Sequence, residues 1–220
     1  MTSHRRSSSP ATARARARAT ATATATATPE ERTPYAAYAF DFDGTLADTT
    51  DLNHSSVQAS LAAHGITVTL DWVAAEPVFT AHQLRRRLAL PPAALPEETF
   101  ARAARAHWFA NTDRIRPITA ATTTARAAAE HAAIAVVSAN YSDIVRHGLE
   151  VVGLDDLPWT VVGRDHVAHP KPAPDAYLHA ARLLGADPAR CLAHEDTDEG
   201  VTAAKAAGMH VIDIRHRSWR

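Results

Sequence analysis

A short apolar run that stops on two carboxylates constrains this chain more than any other feature. Residues 36–49 read Ala-Ala-Tyr-Ala-Phe-Asp-Phe-Asp-Gly-Thr-Leu-Ala-Asp-Thr. The run before Asp41 is too short for a helix and has no polar alternation, so it reads as a strand buried on both faces. Strands of that kind belong to parallel sheets, whose ligands sit at the carboxyl ends of the strands. Asp41 and Asp43, two residues apart, point to one side of an extended segment. Like charges at that distance repel unless a cation lies between them, and hard cations such as Mg²⁺ take oxygen ligands. Gly44 then lets the backbone approach a ligand closely. The competing reading of this stretch alone is a solvated acidic turn.

The remainder alternates in a way that extends the sheet. Helical patterns over 119–132, 141–150, 174–184 and 199–207 separate apolar runs at Ile134–Ser138, Trp159–Gly163, Cys191–Glu195 and His210–Ile214. Strands alternating with helices predict an α/β fold with a doubly wound, parallel, Rossmann-like sheet. Residues 50–116 break the alternation. Asp51 is placed to cap a helix carrying Val57 and Leu61 on one face and ending at Gly65. Asp71 opens a second helical region broken at Pro77, and helical runs follow over 80–90 and 97–110. The expected organisation is a tail over 1–34, an α/β core over 35–49 and 117–220, and an all-helical insert over 50–116. The tail is low in complexity, with Ala-Arg and Ala-Thr repeats and no large apolar side chain before Tyr35. It reads as disordered rather than as a transit or twin-arginine address.

Two more strand ends and one loop carry chemistry. Ser138, with the N–H groups of Ala139 and Asn140 behind it, can hold a phosphate oxygen or simply cap the next helix. Lys171 lies in His-Pro-Lys-Pro-Ala-Pro-Asp, where prolines stiffen the loop; a cation fixed there offsets a carboxylate and a phosphoryl group. The chain has only two lysines, Lys171 and Lys205, among 23 basic residues, and Lys205 reads as surface. Glu195 and Asp196 end an apolar run, where consecutive acids are costly unless paired or metal-bound.

Together these segments resemble the four motifs of the haloacid dehalogenase superfamily: Asp-Phe-Asp-Gly-Thr-Leu, Ser138, Lys171, and Glu-Asp-Thr-Asp-Glu-Gly over 195–200. The insert is similar in place and size to that family's small helical cap, and the β-phosphoglucomutase-like phosphatases look like the nearest subgroup. The resemblance implies that Asp41 becomes an aspartyl phosphate and that Asp43 serves as acid and then base. It also implies that Gly44, Thr45, Ser138, Ala139, Asn140 and Lys171 hold the phosphoryl oxygens. Mg²⁺ would be bound by Asp41, the Asp43 carbonyl and Asp196, with Glu195 close by. The expected activity is hydrolysis of a small phosphomonoester, a sugar phosphate. Thr45 is more usual in phosphatases than in phosphosugar mutases, which remain the alternative. Asp43 argues against a dehalogenase, and the absence of lysine from 50–116 against a phosphonatase. A receiver-like signalling domain would lack the helical insert. Two positions depart from the pattern. Asn53 stands where a histidine is frequent, and no specificity-loop glycine is evident around Pro77–Thr80.

Charge and composition bear on partners. Five arginines among residues 1–28, with no acid, leave 18 basic residues against 24 acidic in the rest. A mildly acidic folded part argues against nucleic acid. No apolar run approaches the ~20 residues of a membrane span. A single cysteine, Cys191, excludes an internal disulfide and suits a reducing cytoplasm. The expected partner is a small phosphorylated metabolite, bound by a monomer.

Overall fold

The computed structural model describes residues 35–75 and 80–216. The tail expected over 1–34 and most of the loop at 77–80 lie outside them. Five strands form one parallel sheet: β1 (Ala37–Phe40), β4 (Ala133–Val137), β5 (Thr160–Val162), β6 (Cys191–Glu195) and β7 (His210–Asp213). Their order is β5-β4-β1-β6-β7. The chain builds outward from β1 on one side and then crosses to the other. The carboxyl end of β1 therefore faces the crevice where strand order reverses, flanked by β4 and β6 in register.

Side chains of β1 alternate between two cores. Tyr38 and Phe40 face a cluster with Ile134, Val136, Ile144 and Leu149. Ala37 and Ala39 face one with Val137, Tyr177, Ala180, Ala193 and Ala203. The first face is covered by α5 (Thr119–Ala129) and α6 (Ser142–Val151), the second by α7 (Asp175–Leu184) and α8 (Asp198–Ala206). Alanine dominates the second face, which suits close seating of helices on the strands.

Between β1 and β4 the chain leaves the sheet and returns through a two-residue antiparallel ladder, β2 (Ala47–Asp48) with β3 (Arg116–Pro117). Strands this short have no readable period, and the sequence gives no sign of them. The excursion holds α1 (Thr50–Ala63), α2 (Leu70–Ala74), α3 (Ala81–Arg87) and α4 (Glu97–Ala110). It has its own apolar cluster of Val57, Leu61, Val73, Leu84, Leu95 and Phe100, each such side chain contributing about 1.5–3 kcal/mol on burial. Arg85 donates to the Leu95 carbonyl, and Arg87 donates to the Trp72 carbonyl while stacking over the Trp72 ring. These two arginines tie the insert together.

Asp51 lies in the first turn of α1 and does not cap it. Thr49 occupies the cap position, and its hydroxyl is turned to Asp43 instead. Thr80 and Gln83 form a capping box on α3. Among the described residues no helix is long and apolar enough to cross a membrane.

Candidate active site

Asp41 follows β1, Ser138 follows β4, and Glu195 and Asp196 end and follow β6, so the sheet itself brings three of the four expected segments together. The fourth arrives on the loop between β5 and α7. Lys171 Nζ donates to Asp41 Oδ1 at 2.6 Å, to Glu195 Oε1 at 2.5 Å and to the Val137 carbonyl at 2.8 Å. All three ammonium protons are thus used, on a side chain 5% exposed. Burial alone would depress the Lys171 ammonium, but Asp41 and then Glu195 outweigh it and raise it.

Asp43 points across the crevice. Its Oδ1 accepts from Thr49 Oγ1 at 2.6 Å and from Asn53 Nδ2 at 2.8 Å, and its Oδ2 from Ser138 Oγ at 3.2 Å. The departure at position 53 is therefore in contact with the site: Asn53 and Thr49 carry the start of α1 onto Asp43. Ser138 Oγ also accepts from Asn140 N at 2.9 Å, which curls the 138–140 loop inward, while Ala139 is exposed. Thr45 is fully buried and donates to Asp196 Oδ1 at 3.2 Å, so it braces an acid in this arrangement.

Two glycines are fixed by the acids beside them. At Gly44, with φ +80°, a Cβ would lie 2.0 Å from Asp196 Oδ2. At Gly200 it would lie 2.0–2.1 Å from the Glu195 carboxyl atoms. Gly200→Ala must displace a carboxylate that is 0% exposed. We expect a loss of about 3 kcal/mol, a fall of roughly 6–12 °C in Tm for a chain of this size. An unchanged melting curve would show that Glu195 does not need this space.

Four carboxylates, Asp41, Asp43, Glu195 and Asp196, meet one lysine. Burial pushes the Asp41 carboxyl well above the usual range against the pull of Lys171, and Glu195, Asp196 and Asp43 push it further. Burial, then Glu195, pushes Asp196 up to about 6. The surplus of negative charge suits a divalent cation. Ligand oxygens of Asp41, Glu195 and Asp196 lie within 4.8 Å of one another, an all-oxygen set of the kind hard cations take.

Three contributors carry no motif of their own. Tyr177, fully buried on the first turn of α7, donates to Glu195 Oε1 at 2.5 Å; burial, then Glu195, raises its phenol well above the usual range. Thr49 reads as one threonine of a pair. Asp165 accepts from Ser142 N at 2.8 Å and Ser142 Oγ at 2.6 Å, while Arg164 N donates to the Asn140 carbonyl. These bonds tie the 138–140 loop to the end of β5. Burial would raise Asp165, but the bonds from Ser142 outweigh it and hold it below the usual range.

A family profile described as haloacid dehalogenase-like hydrolase matches residues 38–214. The chain belongs to that family. The chain is similar to fructose-1-phosphate phosphatase YqaB of Escherichia coli (strain K12), 30% identical over 191 residues, covering 82% of this chain and 97% of that protein. CbbY of Rhodobacter sphaeroides, solved with phosphate, superposes with a TM-score of 0.70 at 25% identity, covering 84% of this chain and 90% of that one. A point mutant of that protein solved with xylulose-(1,5)-bisphosphate gives 0.71 at 26% identity, covering 81% and 85%. The dehalogenase-like fold, the parallel sheet and the hydrolase class expected from the four motifs all hold.

Proposed function

We propose that this haloacid dehalogenase-like hydrolase is a Mg²⁺-dependent phosphatase of a small phosphorylated sugar, working through an aspartyl phosphate on Asp41. The observation that carries the reading is the contact of Lys171 with Asp41 at the switch point of the sheet, with Asp43 held two residues on. The similarity to a fructose-1-phosphate phosphatase over nearly its whole length supports the substrate class.

In this reading an Asp41 oxygen attacks phosphorus while the bond to the ester oxygen breaks. Asp43 gives its proton to the leaving alkoxide. A water then loses a proton to Asp43 as its oxygen bonds to phosphorus, the bond to Asp41 breaks, and inorganic phosphate leaves. A group that alternates between acid and base must be held within reach of both partners, a task given to Ser138 on the core, to Thr49 just ahead of α1 and to Asn53 on it. Lys171, Ser138 and the 138–140 loop take the phosphoryl oxygens, beside Gly44 and Thr45. Mg²⁺, held by Asp41, Asp196, Glu195 and the Asp43 carbonyl, would supply the charge that lets a phosphate dianion approach four acids. The helices α1 to α4 act as a cap that closes over the site and excludes bulk water.

The test is a phosphate-release screen over phosphomonoesters with Mg²⁺, including a hexose 1-phosphate whose products are identified. Release of free sugar and phosphate is expected, stopped by EDTA and restored by Mg²⁺. Isomerised sugar phosphate without release would point to a mutase, and indifference to EDTA would remove the metal from the account. The cation also competes with the proton at Asp196. A raised carboxyl favours the ion-free fold below its ordinary range near 4, and that contribution is lost as pH rises through about 6. Mg²⁺ affinity measured calorimetrically should therefore weaken roughly tenfold per unit as pH falls below about 6. A flat profile would contradict the assignment of Asp196.

A further inference from the structure

We infer that Tyr177 is a positioning residue for Lys171, acting through Glu195; the inference rests on the phosphatase reading above. Glu195 Oε1 accepts from two donors at once, Lys171 Nζ and Tyr177 Oη, each at 2.5 Å. Its Oε2 accepts from Asp196 N and Thr197 Oγ1, both at 3.3 Å. Gly200 lies against the same carboxylate. Among the described residues, the phenol is the one other donor that shares Oε1 with the lysine.

The setting makes the hydroxyl hard to explain as packing. The Tyr177 ring sits in a cluster made mostly of alanines with Val137 and Val162, where phenylalanine would fill the same volume. A buried hydroxyl is costly without a partner, and the one it has is the counter-ion of the lysine that touches Asp41. The ring also lies beneath Lys171, with Nζ 5.2 Å from its centroid, so one residue meets both members of the pair.

Two donors on one oxygen share its charge. With the phenol present, Glu195 holds Lys171 loosely enough for the ammonium to stay on Asp41 and meet an incoming phosphoryl oxygen. Without it, Oε1 is left to Lys171 alone. The ammonium then moves toward Glu195, and charge developing on the transferring group loses its donor.

The experiment is Tyr177→Phe, assayed with Mg²⁺ on the best ester from the screen, with rates expressed per folded molecule from the near-UV circular dichroism signal. A loss of stability alone then registers as no change. We expect kcat to fall about tenfold with KM within about threefold. Glu195→Gln and the double variant complete a cycle. Because Tyr177 acts through Glu195, the double variant should lie within about twofold of Glu195→Gln alone. A kcat for Tyr177→Phe within about twofold of wild type, or losses that multiply in the double variant, would overturn the inference while leaving the phosphatase reading intact. A wild-type chain that releases no phosphate from any ester would overturn both.

Discussion

Asp41→Asn is expected to abolish phosphate release, by roughly 10⁴-fold or more, in a protein that still folds. The two side chains have nearly the same shape, but an amide oxygen is too poor a nucleophile to attack phosphorus. The buried surroundings of Asp41 tolerate the change. Lys171 keeps Glu195 and the Val137 carbonyl as acceptors, and a cluster with surplus negative charge loses one member. Loss of rate with a retained melting transition is thus the signature of a nucleophile, as opposed to a structural acid. Lys205→Ala serves as the control. That lysine is exposed on α8 and its loss should leave the rate within about twofold of wild type. Near-normal turnover by Asp41→Asn would remove the nucleophile assignment.

Lys171→Ala should reduce both rate and stability. The lysine side chain is 5% exposed and its partners Asp41 and Glu195 are 8% and 0% exposed. Breaking a buried pair leaves uncompensated charge at a cost of about 3–5 kcal/mol. Removing one preorganised donor to developing charge costs about 10²–10³ in kcat. The two losses respond differently to pH. The stability deficit should narrow as pH falls and the raised carboxyls of Asp41 and Asp196 take up protons, whereas the rate should not recover. Denaturant melts of both proteins across pH, alongside kcat, separate the two. A variant as stable as wild type at neutral pH would mean that another cation occupies the position of the ammonium.

The site was legible in the sequence to the extent that it depends on strand ends. Asp41, Ser138, Glu195 and Asp196 each close or follow an apolar run, and a parallel sheet gathers such ends without further information. Lys171 stood out because lysine is scarce and prolines surround it. Helix starts fall within a residue of expectation, with α6 at Ser142 against 141 and α8 at Asp198 against 199, but two ends are overrun: α5 stops at Ala129 against 132 and α3 at Arg87 against 90. What remained hidden depends on contacts between distant segments. Tyr177 has the pattern of a core aromatic on a helix face, and only the fold turns its hydroxyl onto Glu195, 18 residues away. Asp165 reads as a loop acid until the fold sets it under Ser142. The cap position of α1 falls at Thr49 and not at the expected Asp51, and Asp43 claims the Thr49 hydroxyl. Asn53 was visible as a departure from the family pattern, yet its bond to Asp43 follows from how α1 enters the crevice.

In the proposed mechanism the phosphoryl group passes through a side-chain carboxylate, and stereochemistry at phosphorus tests this most directly. A phosphorothioate monoester made chiral at phosphorus with two oxygen isotopes, hydrolysed by the Mg²⁺-loaded protein in water of the third isotope, should release inorganic thiophosphate with retained configuration. Two successive in-line displacements, first by Asp41 and then by water, cancel each other's inversion. Inverted thiophosphate would mean that water attacks the ester in one step and that Asp41 never carries the group.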